Sequence, residues 1–398
     1  MAMTARRALG LLLGGWLAAL GASAAPSPAR RTENVAPARR TENVAPARRT
    51  ENVAPARRTE NVVLIVTDGL RWQEVFRGAE AALISDKPGG VEDVPATKAA
   101  FWRDGLKERR EALLPFLWSV VATEGQIWGN ADAGGGAHVT NRLRFSYPGY
   151  NEIITGAFDP RIDANEYGPN PNVSVFEWLN GMTELRGRVE IVGSWDAFPR
   201  IFNRDRSGLA MKTGWDTPFP DSPSPTQALL NTLYATTTRE FSDMPWDALL
   251  QRTVLEEVAR RHPRVLFVGY GETDEWAHNG RYDLVLRTAH AVDGFIRELW
   301  TTMQEMPEYR GKTTFIVTTD HGRGSGPENW KHHDWNVDGA ENIWIAAMGP
   351  DTPALGERRD VAPVTQSQIA ATLAALLGKD WNAQNPAAGA PIRDALGR

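Results

Sequence analysis

The chain has 398 residues, a formal net charge of −5 and no cysteine. This excludes disulfides, thiolate metal ligands and a cysteine nucleophile, and the mildly acidic balance gives no footing for a nucleic-acid partner. The sequence beyond residue 61 is long enough to bury a core without covalent staples.

At the start, Arg6 and Arg7 precede an apolar stretch from Ala8 to Leu20, and Ala22-Ser23-Ala24 supplies small residues before a cut. That is the pattern of a signal peptide over residues 1–24, with a periplasmic or secreted mature protein. A retained anchor helix is the alternative. The stretch is short for a span, however, and no later segment approaches the ~20 apolar residues a membrane helix needs. From Pro28 to Val62 the unit Pro-Ala-Arg-Arg-Thr-Glu-Asn-Val-Ala recurs four times almost without variation. Each unit offers one valine, small alanines and a proline, too little to offset chain entropy, so residues 25–61 are expected to form a disordered linker.

Beyond it, apolar runs predict strands over Val62–Val66, Val189–Gly193, Val265–Tyr270, Thr313–Thr318 and Ile343–Met348. Amphipathic stretches predict helices over Arg109–Thr123, Val173–Asn180, Leu249–Arg261 and Tyr282–Met303. Strands interleaved with helices imply an α/β domain over residues 62–398, with a mainly parallel central sheet and helices on both faces. The stretch of about 198–245 is rich in Pro, Trp, Asp and Thr and poorly periodic, so a small loop-rich cap is expected there.

The chemistry gathers where strands end, which is where open α/β sheets bind ligands. Asp68 follows the first apolar run and precedes Gly69; a metal ligand and a helix N-cap are equally good readings of it alone. Asp320-His321-Gly322 repeats the arrangement after Thr313–Thr318, and two adjacent ligand-type residues are harder to explain as capping. Asp274 and His278 are spaced i, i+4, so a helical turn puts both on one face, as a surface ion pair or as two ligands. Of seven histidines, His278, His321 and one of His332 and His333 fall in such segments, whereas His262 and His290 sit on helical stretches as structural residues. Ser146 lies in Arg144-Phe145-Ser146-Tyr147-Pro148-Gly149, without the Gly-x-Ser-x-Gly frame of a hydrolase elbow. A serine there is a turn residue, or a nucleophile that a base or a metal must activate.

In order, Asp68-Gly69, Ser146-Tyr147-Pro148 with Thr155-Gly156, Asp274 to His278, Asp320-His321-Gly322, His333 and Gly349-Pro350 resemble the alkaline phosphatase superfamily, and most of all its nucleotide pyrophosphatase/phosphodiesterase branch. The tail from Val364 to Leu373 is similar to that family's closing helix. The resemblance implies two metal sites, one held by Asp274, His278 and His333, the other by Asp68, Asp320 and His321 with the Ser146 oxygen completing it. His333 is preferred to His332 for its distance to Gly339-Ala340-Glu341. Asn165 resembles the asparagine that holds a phosphoryl oxygen. The ions implied are two Zn2+, with Mn2+ suited to the same donors.

The activity implied is that of an exported, metal-dependent phosphoester hydrolase, a phosphatase or phosphodiesterase working on a small-molecule phosphoester through a phosphoseryl intermediate. Serine in place of the branch's usual threonine leaves monoester cleavage open. A sulfatase is disfavoured because Tyr150 stands where its Arg would be, and a phosphomutase because the large inserted domain is missing. A non-catalytic exported binding protein using the same fold is the rival of another class. Deleting three of the four repeat units should leave the thermal unfolding midpoint nearly unchanged. A large drop would mean that the repeat packs against the domain.

Overall fold

The computed structural model describes residues 57–221 and 223–397, so the expected signal peptide and residues 25–56 of the expected linker lie outside the described residues. The last repeat unit runs into the sheet. Thr59 is buried, its hydroxyl 2.8 Å from that of Thr314, and its backbone N–H donates to Asp351.

In chain order the strands are Asn61–Thr67 (β1), Gln126–Trp128 (β2), Ala137–His138 (β3), Val189–Gly193 (β4), Ala210–Thr213 (β5), Val265–Tyr270 (β6), Thr313–Thr318 (β7), Ile345–Met348 (β8), Gly356–Glu357 (β9) and Val364–Thr365 (β10). Eight form one sheet in the order β5-β4-β6-β1-β7-β8-β2-β9, and β10 pairs with β3 separately. All pairings in the large sheet are parallel except those of β8 with β7 and with β2. The fold class is α/β, with helices on both faces of a mostly parallel sheet.

β1 reads Asn-Val-Val-Leu-Ile-Val-Thr, buried throughout, because β6 and β7 flank it and both its faces are covered. Its side chains alternate between two cores. Val63 and Ile65 face the layer that holds Val254, Leu286 and Leu299 from the helices Asp247–Arg261 and Tyr282–Glu305. Val62, Leu64 and Val66 face Tyr150, Ile153 and Leu373 from the helices Ser146–Thr155 and Ile369–Leu376. Among the described residues no helix is long and apolar enough to cross a membrane.

Three local expectations need correction. The helix expected over Arg109–Thr123 is two pieces, Leu106–Leu113 and a wide turn over Leu117–Val121. Pro115 lacks the N–H a continuous helix requires, and Asp293 restarts the chain by accepting from the N–H groups of Phe116 and Leu117 at 2.7 and 2.8 Å. The cap stretch is not only loops. β5 adds parallel to β4 as an edge strand of the main sheet, and Pro225–Thr236 is a helix with a Ser224/Gln227 capping box. Ala-Met-Lys-Thr, half-buried at an edge, has no apolar run to announce it. The Ser146 segment is a ten-residue helix, not a turn. Pro148 is tolerated because it lies in the first turn, whose N–H groups have no intrahelical acceptor.

That helix packs tightly on the end of β7. A Cβ added at Gly149 would lie 2.4 Å from the Asp320 carbonyl oxygen and 3.0 Å from its carbon, both backbone atoms. Gly149→Ala should therefore cost about 1–3 kcal/mol in urea unfolding as the helix is forced outward. A variant as stable as the parent would mean that this contact does not clamp the helix.

Candidate metal centre and active site

β1 lies between β6 and β7, so three adjacent parallel strands end side by side. β1 delivers Asp68, β7 delivers Asp320 and His321, and β6 leads into the helix Glu272–His278, which carries Asp274 and His278 one turn apart. Ser146 comes from the other side, at the N-terminus of its helix.

His321 is the hub. Its Nε2 is 3.5 Å from Asp68 Oδ1, 3.5 Å from Asp320 Oδ2, 3.7 Å from Asp274 Oδ1 and 3.4 Å from Ser146 Oγ. Its Nδ1 faces the Gly322 carbonyl at 3.0 Å, so the ring proton belongs there and Nε2 presents a lone pair. Asp68 Oδ1 and Asp320 Oδ2 are consequently buried acceptors with no donor. Two acceptor oxygens and an imidazole lone pair, all directed at one point, fit a cation. The ligand atoms of Asp68, Asp320 and His321 lie within 4.8 Å of one another, as do those of Asp274, His321 and His333.

The other expected set also converges. His278 Nε2 is 3.1 Å from Asp274 Oδ2 and 2.9 Å from His333 Nε2. His333 Nδ1 faces the Arg144 carbonyl at 3.2 Å, which leaves Nε2 as the free lone pair. Of the two neighbouring histidines, His333 reaches this centre and His332 is exposed. Donor chemistry and spacing suit a hard or borderline divalent ion at both places.

The electrostatics say the same. Burial pushes the Asp68 carboxyl well up, and Asp320 and Asp274 push it further. Burial likewise raises Asp320, against the pull of His321. Burial would also raise Asp274, but the Arg323 guanidinium and His278 more than offset it and hold that carboxyl well below its usual range. His333 is pushed down, by burial and then by His321. Three carboxylates this close and this dry are mutually unfavourable without compensating positive charge.

Neighbouring residues hold these groups in place. The Tyr150 hydroxyl donates to Asp68 Oδ2 at 2.9 Å, and Gly69 N–H donates to Asp320 Oδ1 at 3.1 Å. Gln366 Nε2 donates to the Asp320 carbonyl at 2.7 Å. Arg323, fully buried, donates Nη2 to the Asp274 carboxylate and Nη1 to the Lys331 carbonyl. Arg323, Tyr150 and Gln366 are absent from the sequence-derived site. Nothing in a lone Arg after Gly322 announces a buried ion pair, though Asp320-His321-Gly322 beside it could have drawn attention to it. The structure also explains Gly69. Its φ is +60°, and a Cβ there would lie 2.4 Å from Asp274 Oδ1 and 2.9 Å from Arg323 Nε.

A cleft of about 330 Å³ opens above the centre, lined by Asp68, Ser146, Asn165, Asp274, His278 and His333 among others. Asn165 Oδ1 accepts from the Tyr147 N–H at 3.0 Å, which leaves its amide nitrogen as a donor. The cleft thus gathers every expected site residue except Asp320 and His321, which lie beneath it with no exposure. The histidines set aside as structural stay away from it. His290 Nδ1 faces the Leu113 carbonyl, and His262 ends a helix against Glu308.

Solved structures share this architecture. Alkaline phosphatase PafA is 13% identical, with 87% of this chain and 100% of that one covered at a TM-score of 0.53. The fold is an alkaline phosphatase-like α/β fold. Phosphonate monoester hydrolase SpPMH from Silicibacter pomeroyi is similar at 14% identity, covering 85% of this chain and 76% of its own, with a TM-score of 0.51. The phosphonate monoester hydrolase of Agrobacterium radiobacter gives 12% identity, 85% and 77% coverage and a TM-score of 0.50. No family model matches the sequence, and no curated protein does.

Tyr150→Phe removes the donor to Asp68 Oδ2 with little change of shape. It should weaken zinc binding roughly 10–100-fold, read by competition with a chromophoric chelator. Unchanged affinity would mean that Asp68 binds no metal, or needs no help in doing so.

Proposed function

We propose that this protein is a metal-dependent phosphoester hydrolase that works through a phosphoseryl intermediate on Ser146. One observation carries the reading. Two buried carboxylate oxygens without donors, Asp68 Oδ1 and Asp320 Oδ2, point at the same His321 nitrogen that lies 3.4 Å from Ser146 Oγ. The alkaline phosphatase-like fold supports it, since the similar structures are named as a phosphatase and as phosphonate monoester hydrolases.

Asp68, Asp320 and His321 would hold one divalent ion and Asp274, His278 and His333 a second; when bound, such ions supply Lewis acidity to the attacking and departing oxygens. The protein's own groups do the rest. Ser146 opens a ten-residue helix, whose positive end favours loss of the hydroxyl proton and attracts a phosphoryl group. Asn165 accepts from the Tyr147 N–H and so aims its amide nitrogen to donate to a phosphoryl oxygen. Ser146 Oγ bonds to phosphorus as the ester P–O bond breaks, and the departing alcohol takes up a proton. Water then cleaves the phosphoseryl bond, which releases phosphate and restores the hydroxyl. Export and the choice between zinc and manganese belong to the same proposal, resting on the N-terminal sequence and on the Asp/His donor set.

Chelation and dialysis should abolish hydrolysis of an aryl phosphate or aryl phosphodiester, and zinc or manganese should restore it. Ser146→Ala should lose about three orders of magnitude or more in kcat while still binding metal, Ser146→Thr should retain measurable turnover, and acid quenching should trap phosphate on the Ser146 peptide. Near-normal turnover in the alanine variant would remove Ser146 as nucleophile. Full activity in metal-free protein would overturn the whole reading.

A further inference from the structure

The two ligand sets do not carry the same charge. Asp68, Asp320 and His321 bring two buried carboxylates, and the groups that donate to them are neutral, the Tyr150 hydroxyl on Asp68 and the Gly69 N–H on Asp320. Each carboxylate keeps one oxygen without a donor. Asp274, His278 and His333 bring a single carboxylate, and a guanidinium lies on it.

That guanidinium belongs to Arg323, which follows Gly322 beyond the end of β7 and is 1% exposed. Its Nη2 donates to the Asp274 carboxylate Oδ1 and, at 3.1 Å, to the Asp274 carbonyl. Its Nη1 donates to the carbonyl of Lys331, just ahead of His333, so one side chain ties together two ligand-bearing segments. Gly69 makes room for it, since a Cβ there would lie 2.9 Å from Nε and 3.2 Å from Nη2. Nε itself is buried without an acceptor among the described residues. A buried cation with an unmet donor is costly, so stability alone does not account for it.

The consequence falls on the second ligand set. With Oδ1 engaged by Arg323, Asp274 has Oδ2, 3.1 Å from His278 Nε2, left to offer an ion. A divalent ion there meets a carboxylate already neutralised, whereas one at Asp68 and Asp320 meets two that are not. Glu275 also bears on Asp274 and His278, with the opposite sign. Its side chain is partly solvated in the cleft, however, while Arg323 acts in direct contact and out of water, so the guanidinium outweighs it.

We propose that Arg323 is a built-in counter-charge that makes the two metal sites unequal. The Asp68–Asp320–His321 site binds tightly and the Asp274–His278–His333 site weakly, so occupancy of the second follows the free divalent metal concentration. Arg323 is a positioning residue in this scheme, holding Asp274 and the His333 segment in register at low metal. This rests on the two-metal hydrolase reading above.

The test is a zinc titration of metal-stripped full-length protein, read by calorimetry and by competition with a chromophoric chelator. Two steps should appear, at least about thirtyfold apart in Kd. Asp320→Asn should remove the tight step and His278→Ala the weak one, which assigns them. Arg323→Met removes the charge and keeps an unbranched side chain, and it should tighten the weak step at least about tenfold. Arg323→Gln is the second variant, in case Arg323→Met does not fold by circular dichroism. A residue that merely braced the fold would give the reverse, because its loss would loosen the second site. Two steps of equal affinity, a tight step that belongs to His278, or a weak step that neither variant tightens overturns the inference while leaving the hydrolase reading intact. Stripped protein that takes up no zinc yet hydrolyses aryl phosphate at full rate overturns that reading instead.

Discussion

The organising constraint in this protein is the burial of three aspartates, Asp68, Asp274 and Asp320, at the ends of three neighbouring parallel strands. Each carboxylate is expensive to bury alone, and their proximity multiplies the cost. The surroundings reduce it in different ways. Arg323 neutralises Asp274 directly, whereas Tyr150 and Gly69 give Asp68 and Asp320 one hydrogen bond each and leave the remaining oxygen of each bare. An arrangement with two bare oxygens is not one that a fold retains for stability. It makes sense as a receptor for positive charge.

The same constraint dictates the close packing around the centre. The sheet can bring its strand ends together only if the segments beyond them occupy very little room. Gly69 lets the chain turn under Asp274 and Arg323, and Gly149 lets the Ser146 helix rest on the Asp320 backbone. These two glycines set the distance between Ser146 and the carboxylates. The imidazoles are oriented by the same backbone, with Nδ1 of His321 and of His333 each facing a carbonyl so that both Nε2 atoms point inward. Geometry of this kind comes from rigid elements and not from mobile loops, which is what a reaction with a narrow tolerance for position requires.

Much of this was legible beforehand because the signals are local. A continuous apolar run followed by Asp-Gly or Asp-His-Gly reveals a buried parallel strand and its functional end within a few residues, and β1, β4, β6 and β7 lie where such runs predict them. Asp274 and His278 reach one centre because their spacing matches a helical turn. The misses have the opposite character. β5 is a short edge strand with no apolar alternation, and the break at Pro115 is bridged by Asp293, which lies far along the chain. The Ser146 helix was obscured by Pro148 and Gly149, residues that usually interrupt helices but here occupy its first turn.

The sequence by itself determined the fold class, the order of the ligand-bearing segments and the identity of the residues able to bind metal, since each depends on side-chain type and short spacing. Tertiary structure alone decided which of them meet. It brought His333 inward and left His332 in solvent, because only His333 has a carbonyl, that of Arg144, to anchor its far nitrogen. It placed Arg323 on Asp274, and it collected Asp196, Asp243 and Glu275 from three separate segments into the lining of one cleft. Contacts between residues dozens or hundreds of positions apart leave no periodicity and no motif, so they exist only once the chain has folded.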